Sequence, residues 1–317
     1  MQSLTHEIST MGRKIQAPAV RLDDVIVVMS GKFIRLGEVF DAYWREADML
    51  PDLQCVVEQL KTAVNRPDVF TFVQRAPETQ PRYDYYMEWD NVAAIPVSTH
   101  ENWLREQISS ASRRNIRTSE KKGVTVRVEP YDEKYVRGIM SIYNESPIRA
   151  GRKFWHHGKP FEVVEAENGT YRERSTYLGA YLQDEFIGYM KIVWDTRSAA
   201  IMQIISKLEY RDRRPNNALM SHAVKLCAER GVKYLLYERL IYGNKGEDSL
   251  TRFKRENGFI RMDLPRFYIP LTLKGKIALM FGLHREMKEI VPQRLRQQLV
   301  DLRDKWNAKR VTQQTIT

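Results

Sequence analysis

The chain has 317 residues, 43% of them hydrophobic, and carries 51 Lys and Arg against 40 Asp and Glu, a formal charge of +11. That length exceeds one average domain, and the apolar share suffices for a sizeable core. The basic excess favours polyanionic partners (nucleotides, nucleic acid or an anionic membrane surface) without choosing among them. No run approaches the roughly 18 apolar residues that cross a bilayer, and the opening MQSLTHEISTMGRK lacks the apolar run of a signal peptide. Cys55 and Cys227 have no metal-ligand spacing around them. A cytoplasmic, reduced protein without a metal is the expectation.

Residues 1–100 read as an α/β domain, with strands at 25–29 and 33–39 around Ser30-Gly31, a helix at 53–63, and strands at 68–73 and 92–97. A connecting basic helix over 101–122 starts near His100, and Gly123 stands where a C-cap glycine would stop it. The pattern from 123 to 272 is clearer. A strand at 124–128 precedes a helix whose apolar positions 135, 136, 139, 140 and 143 share one face. Apolar stretches at 176–182, 186–194 and 199–206, joined by short turns, form an antiparallel meander. Pro215 then starts a helix with Leu219, Ala223, Leu226 and Cys227 on one face, and Gly231 ends it. A strand at 232–237, a short helix at 249–256 and a strand at 266–271 complete the order. The strand–helix–strand passage from 199 to 237 requires a right-handed crossover and a parallel pair. The sheet is therefore mixed and mainly antiparallel.

Residues 273–317 are basic and helical in pattern, with ten Lys and Arg against four Asp and Glu. Packing through Leu295, Leu299 and Leu302 is the first expectation for this extension. Contact of Lys274, Lys276, Met280, Phe281 and Leu283 with an anionic membrane surface is a secondary one.

The chemistry concentrates at the junction SKLEYRDRRPNNAL (206–219), where a strand delivers the chain to a helix start beside Arg211, Arg213 and Arg214. A helix start offers unpaired N–H groups and a partial positive charge, so it suits a phosphate. The dipole contributes only about 0.3–1 kcal/mol at an exposed site, leaving much of the affinity to the arginines. Solvated arginines on an ordinary helix start are the alternative.

The order of elements, with FKRENGF before the last strand, resembles the GNAT superfamily of acyltransferases. That family's pyrophosphate loop reads Gln/Arg-x-x-Gly-x-Gly/Ala. Here Arg213 and Ala218 match, Asn216 stands in place of the first glycine, and Asn217 follows it. The resemblance implies that Arg211, Arg213, Arg214, Asn216, Asn217 and Ala218 hold an acyl-CoA or another phosphate-bearing carrier. Lys254 stands where many members have a tyrosine that protonates the leaving thiolate. A surface lysine is the commoner reading, with Tyr237 and Tyr242 as substitutes. The segment RRNIRTSEKKGVTVRVEP (113–130) resembles the FemAB/FemX-like branch, whose members look like tandem GNAT domains. They move amino acids from aminoacyl-tRNA onto peptidoglycan precursors. Residues 1–100 would then be a degenerate GNAT unit. Arg113, Arg114, Arg117, Lys121 and Lys122 would touch a phosphate-rich ligand or form a solvated face. The whole chain also resembles acyltransferase-like proteins of bacterial envelope-polysaccharide clusters.

The loop PIRAGRKFWHHGKPFEVVE (147–165) is the acceptor-site candidate. Acyl transfer needs a neutral amine, and histidine titrates in the useful range, which marks His156 as a catalytic candidate. Arg149, Arg152, His157 and Lys159 would recognise a carboxylate or phosphate on the acceptor. A lid packed by its aromatics is the equal alternative. Lys207 suits an electrostatic anchor, because an ordinary lysine amine stays protonated at neutral pH. Lys245 and Asp248 lie in the loop before the short helix; Asp248 is a natural N-cap, and because the loop leaves the strand beside the central one, both would also line the acceptor cleft and bind substrate.

These readings converge on an N-acyltransferase taking its group from acyl-CoA or aminoacyl-tRNA to an amine of an envelope sugar or a small or lipid-linked peptidoglycan precursor. It would work in the cytoplasm or at the inner face of the membrane. The missing glycine and tyrosine also fit a catalytically inactive GNAT-fold scaffold in envelope polysaccharide biosynthesis. Nonspecific nucleic-acid binding rests on net charge alone.

Overall fold

The computed structural model of the chain describes residues 3–10, 13–23, 25–45, 52–241 and 248–285. The first part comprises β1 (Ser3–Thr10), β2 (Arg13–Leu22), β3 (Val25–Ser30), β4 (Leu36–Val39), α1 (Leu53–Thr62), β5 (Val69–Val73) and β6 (Tyr86–Pro96). The second continues with α2 (His100–Asn102), a π-helical turn (Trp103–Gln107), α3 (Ser110–Lys121), β7 (Val124–Glu129) and α4 (Glu133–Asn144). A small hairpin of β8 (Ile148–Arg149) and β9 (Arg152–Lys153) and helix α5 (Phe161–Asn168) follow. The rest comprises β10 (Ser175–Leu182), β11 (Glu185–Trp194), β12 (Ser198–Ser206), α6 (Pro215–Glu229), β13 (Tyr234–Leu236), α7 (Ser249–Glu256), β14 (Ile260–Pro270) and α8 (Leu273–Met280).

Twelve of these strands form one sheet in the order β1-β2-β3-β4-β5-β14-β6-β13-β12-β11-β10-β7. Each half contains an antiparallel meander, a crossover helix and a parallel strand. In the first half α1 carries the chain from β4 to β5, which pair in parallel; in the second α6 carries it from β12 to β13, which do the same. The sheet is mixed and mainly antiparallel, as the GNAT resemblance implies. The final strands are exchanged. β6, from the first half, pairs with β13, and β14, from the second, pairs with β5. The two exchanged strands pair with each other from Ile260↔Ala94 to Tyr268↔Tyr86.

Local sequence accounts for the layers. β11 is buried on both faces after its first two residues, so it reads as an unbroken apolar run rather than an alternation. One face is covered by α6, where Leu219, Met220, Ala223, Val224 and Cys227 pack on Ile192, Ile201 and Leu235. Burial raises the Cys227 thiol to about 12, which makes it an inert packing group. The other face is covered by α4, whose Tyr135, Val136, Ile139, Ile142 and Tyr143 meet Tyr177 and Tyr189. Ala93 and Ile95 of β6 belong to the α6 core, although their stretch of chain precedes that half.

Several expected boundaries shift. β1 and β2 were not expected, and β14 begins at Ile260 because its ladder to β6 starts there. The helix expected from His100 breaks at Ile108, which is extended, and Ser109 caps a new helix by accepting from Ser112 N at 3.1 Å. The expected loop over 147–165 instead holds β8, β9 and the first turns of α5. Gly123 and Gly231 follow α3 and α6 with φ of +79° and +68°, as expected of C-terminal stops. Leu295, Leu299 and Leu302 lie outside the described residues.

Because Ile95 is fully buried in a core shared by both halves, Ile95→Ala should destabilise the whole molecule by about 2–5 kcal/mol. Calorimetry should show one cooperative transition moving down. Two separate transitions, with only one displaced, would contradict the exchanged-strand architecture.

Candidate active site

β12 and β13 pair at only three positions, Ser198↔Tyr234, Ala199↔Leu235 and Ala200↔Leu236. β12 then runs on beside β11 as far as Gly188↔Ser206. The chain after β13 follows β6 instead: Tyr237 N donates to Ala93 O at 2.9 Å and Ala93 N to Glu238 O at 2.7 Å. The two parallel strands therefore diverge, and the 202–206 stretch of β12 has a ladder on one side only. At the divergence β12 carries a bulge. Lys191 pairs with Gln203 and Ile192 with Ile201, so Met202 is the extra residue. A bulge turns two successive side chains toward one face. Met202 Sδ accepts from Thr170 Oγ1 at 3.7 Å, and Gln203 Nε2 lies 3.1 Å from His156 Nε2.

On that face, opposite α6, a cavity of about 590 Å³ opens between the halves. Val39, Leu53 and Phe70 wall it from the first half, and Trp194, Ala200, Leu236 and Glu238 from the second. Its volume suits a small-molecule moiety. The charges along it are largely paired: Arg266 meets Asp90 at 3.0 Å and Glu38 at 3.1 Å, Arg239 meets Asp90 at 2.7 Å, and Arg75 meets Asp195 at 2.8 Å. Burial works against the Asp90 carboxylate, but Arg266 and Arg239 outweigh it and hold Asp90 below the usual carboxylate range.

The start of α6 differs from expectation. A 3-10 turn at Arg211–Arg213 leads to Arg214, which is left-handed at φ +59°, and Pro215 is the first helical residue. Pro215 has no N–H, and Asn217 N and Ala218 N donate to Arg214 O at 3.0 and 3.3 Å. The amides expected to face a groove at Asn216 and Asn217 are thus reduced to that of Asn216. The asparagine in place of glycine also leaves its Oδ1 buried without a partner. Upstream, Leu208 N and Glu209 N donate to the Glu145 carboxylate at 2.7 and 2.9 Å, so a side chain of the protein already occupies that anion position. The cations remain outward. Arg211 and Arg214 are exposed, as are Arg114, Arg117 and Lys121 on α3, the helix packed against α6. Arg213 lies 3.5 Å from Asp212, and Lys122 is bound to the same carboxylate at 2.7 Å. Arg113 is spent on the carbonyls of Leu104, Arg105 and Ile108 at 3.3, 2.9 and 2.8 Å, closing the π-helical turn.

Most of the remaining expected residues have structural partners. His156 is buried against Tyr143 and Trp155. Burial, with Lys159 and Arg149 nearby, lowers it to about 3, so it stays neutral at physiological pH and does not titrate in the expected range. Arg149 donates to Ser206 O at 2.8 Å and Ile142 O at 2.9 Å and pairs with Glu145 at 2.9 Å, anchoring the end of β12 rather than facing an acceptor. Lys159 is held by Glu167 at 2.5 Å over the Trp155 ring. Arg152 and His157 are exposed on the hairpin side. Lys207 pairs with Glu185 at 2.7 Å. Asp248 caps α7 by accepting from Thr251 N at 2.8 Å. Lys254 is not a surface lysine. It is fully buried, donates to Arg239 O at 2.8 Å and lies over the Tyr237 ring, and burial lowers it to about 8. Tyr242 and Lys245 lie outside the described residues.

Lys191 was missed because it sits inside an apolar run. It is buried, donates to Asn168 O at 2.8 Å, Thr170 Oγ1 at 3.0 Å and Thr170 O, and burial lowers it to about 7. It thereby ties the turn after α5 to the bulge. On α8 Leu273 and Met280 are exposed, as are Phe281 and Leu283 in the turn after it, while Lys274 pairs with Asp68 at 3.6 Å. Among the described residues no helix is long and apolar enough to cross a membrane.

The exchanged double sheet with one crossover in each half is a GNAT-type fold in its FemX-like form. The crystal structure of FemX superposes with a TM-score of 0.51 over 87% of this chain and 90% of that one, at 11% identity. The structure of L-PGS from Bacillus licheniformis gives 0.53 over 85% and 90%, at 15% identity. The C-terminal domain of a putative lysylphosphatidylglycerol synthetase from Agrobacterium fabrum gives 0.52 over 85% and 88%, at 10% identity. At these identities the likeness is one of fold, and it spans both halves. No protein-family model matches the chain, and no curated protein matches it in sequence.

His156 binds its proton far less readily folded than unfolded. Its contribution is therefore complete above about pH 6.5 and is lost as pH falls toward 3. Denaturant titrations between pH 7 and 4 should show stability falling, and His156→Gln, which keeps a partner for Gln203, should flatten that slope. An unchanged slope would show that the imidazole is not held neutral.

Proposed function

We propose that this chain is an acyltransferase that moves an aminoacyl group from an RNA-borne ester to an amine of an envelope precursor held in the cavity. The observation that carries the reading is the divergence of β12 and β13, which leaves a bulged strand edge open before the cationic start of α6, together with the cavity that Ala200, Leu236 and Glu238 line on the face opposite α6. Backbone groups of the 202–206 stretch directed away from β11 would bind the carrier end and stabilise the tetrahedral oxyanion, with Ser206 O already taken by Arg149. The preference for RNA over coenzyme A follows from the amides. A compact pyrophosphate needs several free N–H groups, whereas Asn217 and Ala218 are tied to Arg214 O and Glu145 occupies Leu208 and Glu209. The exposed guanidinium and ammonium groups of α3 and of the turn before α6 suit an extended phosphate backbone. In this reading His156 and Lys254 position the walls: one fixes Gln203 at the bulge, the other the Arg239 carbonyl beyond β13. The exposed apolar residues of α8 support contact with the anionic membrane surface that would present a lipid-linked acceptor. The name of one fold neighbour, a lysylphosphatidylglycerol synthetase, is consistent with an aminoacyl group and a lipid.

A second reading, a GNAT-fold binding module without turnover, is favoured by the same engaged amides. One experiment separates them. The protein is incubated with bulk tRNA charged with labelled amino acids, or with labelled acetyl-CoA, and glycinamide as a simple primary amine. Transfer from aminoacyl-tRNA above the uncatalysed rate, and none from acetyl-CoA, is expected; transfer from neither would leave the binding module. Arg211→Glu with Arg214→Glu should weaken tRNA binding at least tenfold at low salt and make it less salt-dependent. An unchanged salt slope would remove the RNA-facing role of the α6 start.

A further inference from the structure

Neither histidine of the hairpin region serves as the base this reaction needs. His156 is buried and His157 is exposed beside Gly158, on the side of α4. The register of β12 and β13 indicates another residue. Their last pair is Ala200↔Leu236, and both of these residues line the cavity, as does Glu238 two positions beyond Leu236 on the strand's continuation along β6. Glu238 is exposed between the buried Tyr237 and Leu240, and it lines the cavity. Its φ is +44°, a conformation that a non-glycine residue with a long side chain adopts at a cost. That conformation is held from both sides. Glu238 O accepts from Ala93 N at 2.7 Å, and Leu240 N and Ile241 N both donate to Asn91 Oδ1 at 3.0 Å. Asp41, Tyr171, Gln183 and Arg214 also take positive φ, so what sets Glu238 apart is that it does so while lining the cavity.

We infer that Glu238 is the general base of the transfer, an assignment that rests on the acyltransferase reading above. The acceptor nitrogen attacks the ester carbonyl carbon, the N–C bond forms, and the carbonyl π pair moves onto oxygen. The Glu238 carboxylate takes the proton that the nitrogen sheds as it bonds. Collapse of the intermediate re-forms the carbonyl and breaks the C–O bond, and the leaving ribose oxygen takes up the proton from the Glu238 carboxyl. The amine proton thus ends on the ribose hydroxyl, with no change of oxidation state.

The test uses the full chain, bulk aminoacyl-tRNA and glycinamide. Glu238→Gln should lower kcat about 100-fold while leaving the Kd for uncharged tRNA unchanged. Glu238→Gly should raise Tm, because the strain is relieved, yet be equally slow. Added formate should restore part of its rate and none of the rate of the Gln variant, whose amide fills the space. Three results would overturn the assignment: wild-type kcat in Glu238→Gln, wild-type kcat in Glu238→Gly without formate, or no formate rescue of a folded Gly variant. If the wild-type protein consumes no aminoacyl-tRNA, the acyltransferase reading itself fails and takes the base with it.

Discussion

The exchange of β6 and β14 is the constraint on which the rest of the molecule depends. β6 takes hold of the chain beyond β13 through Ala93, paired to Tyr237 and Glu238, and through Asn91, bonded to Leu240 and Ile241. Through Leu236 the strand pairs with β6 on one edge and β12 on the other; beyond it the chain keeps its β6 partner while β12 keeps β11 as far as Ser206, and the two part there. The opening between β12 and β13 thus lies where the first half's last strand retains the departing chain. The same exchange brings the first half's α1 side against Trp194 and Leu236, so the cavity has walls from both ends of the sequence. A lone unit of this type would have the divergence without that enclosure.

Charge is sorted by position across the structure. Inside the cavity cations and carboxylates meet at 2.7–3.1 Å, as in the Arg239–Asp90 and Arg266–Glu38 pairs, so the interior is close to electrically balanced. Outside, α3 and the turn before α6 keep Arg114, Arg117, Lys121, Arg211 and Arg214 exposed. Balanced charge disfavours a bare polyanion in the cavity, while the outer surface attracts one. The two substrates of a transfer reaction would thus be kept on opposite sides of the opening. Lys191 and Lys254 belong to neither population. Each is buried and donates to backbone carbonyls; burial moves both toward neutrality, against the opposing pull of Glu238 and Asp248 in the case of Lys254.

The fold of the second half was legible in the sequence because its signals are local. The turns at 183–184 and 195–198 separate apolar runs, Pro215 starts a helix, and Gly231 and Gly258 sit where positive φ is needed. β1 and β2 were not legible, since the inward positions of β1 include the polar His6 between Leu4 and Ile8, and Pro18 interrupts the pattern of β2. The strand exchange was also out of reach, because β6 and β14 are joined by contacts some 170 residues apart that no periodicity records. At the candidate site the sequence shows the cationic turn and the α7 cap, but not that His156 is held neutral or that Lys254 lies inside rather than at the surface, because their burial is decided by α4 and by the path beyond β13. Glu238 carries no motif. Its position follows from a strand register and a backbone angle, both of which exist only in three dimensions.

The departures from the family pattern at the α6 start form one connected change rather than scattered losses. With asparagine at 216 and proline at 215, the first turn draws Asn217 N and Ala218 N onto the carbonyl of a left-handed Arg214. A phosphate cradle made of amides is thereby closed, and Glu145 closes the preceding pair at Leu208 and Glu209. Glu145 is in turn fixed by Arg149, which also holds Ser206 O at the end of β12. The ion pair that fills the anion position is thus the one that secures the open strand, so removing Glu145 to reopen the cradle would loosen that edge as well. In the reading proposed above, side-chain cations would take over the recognition that engaged backbone amides no longer offer, which suits a carrier larger and more highly charged than a single pyrophosphate.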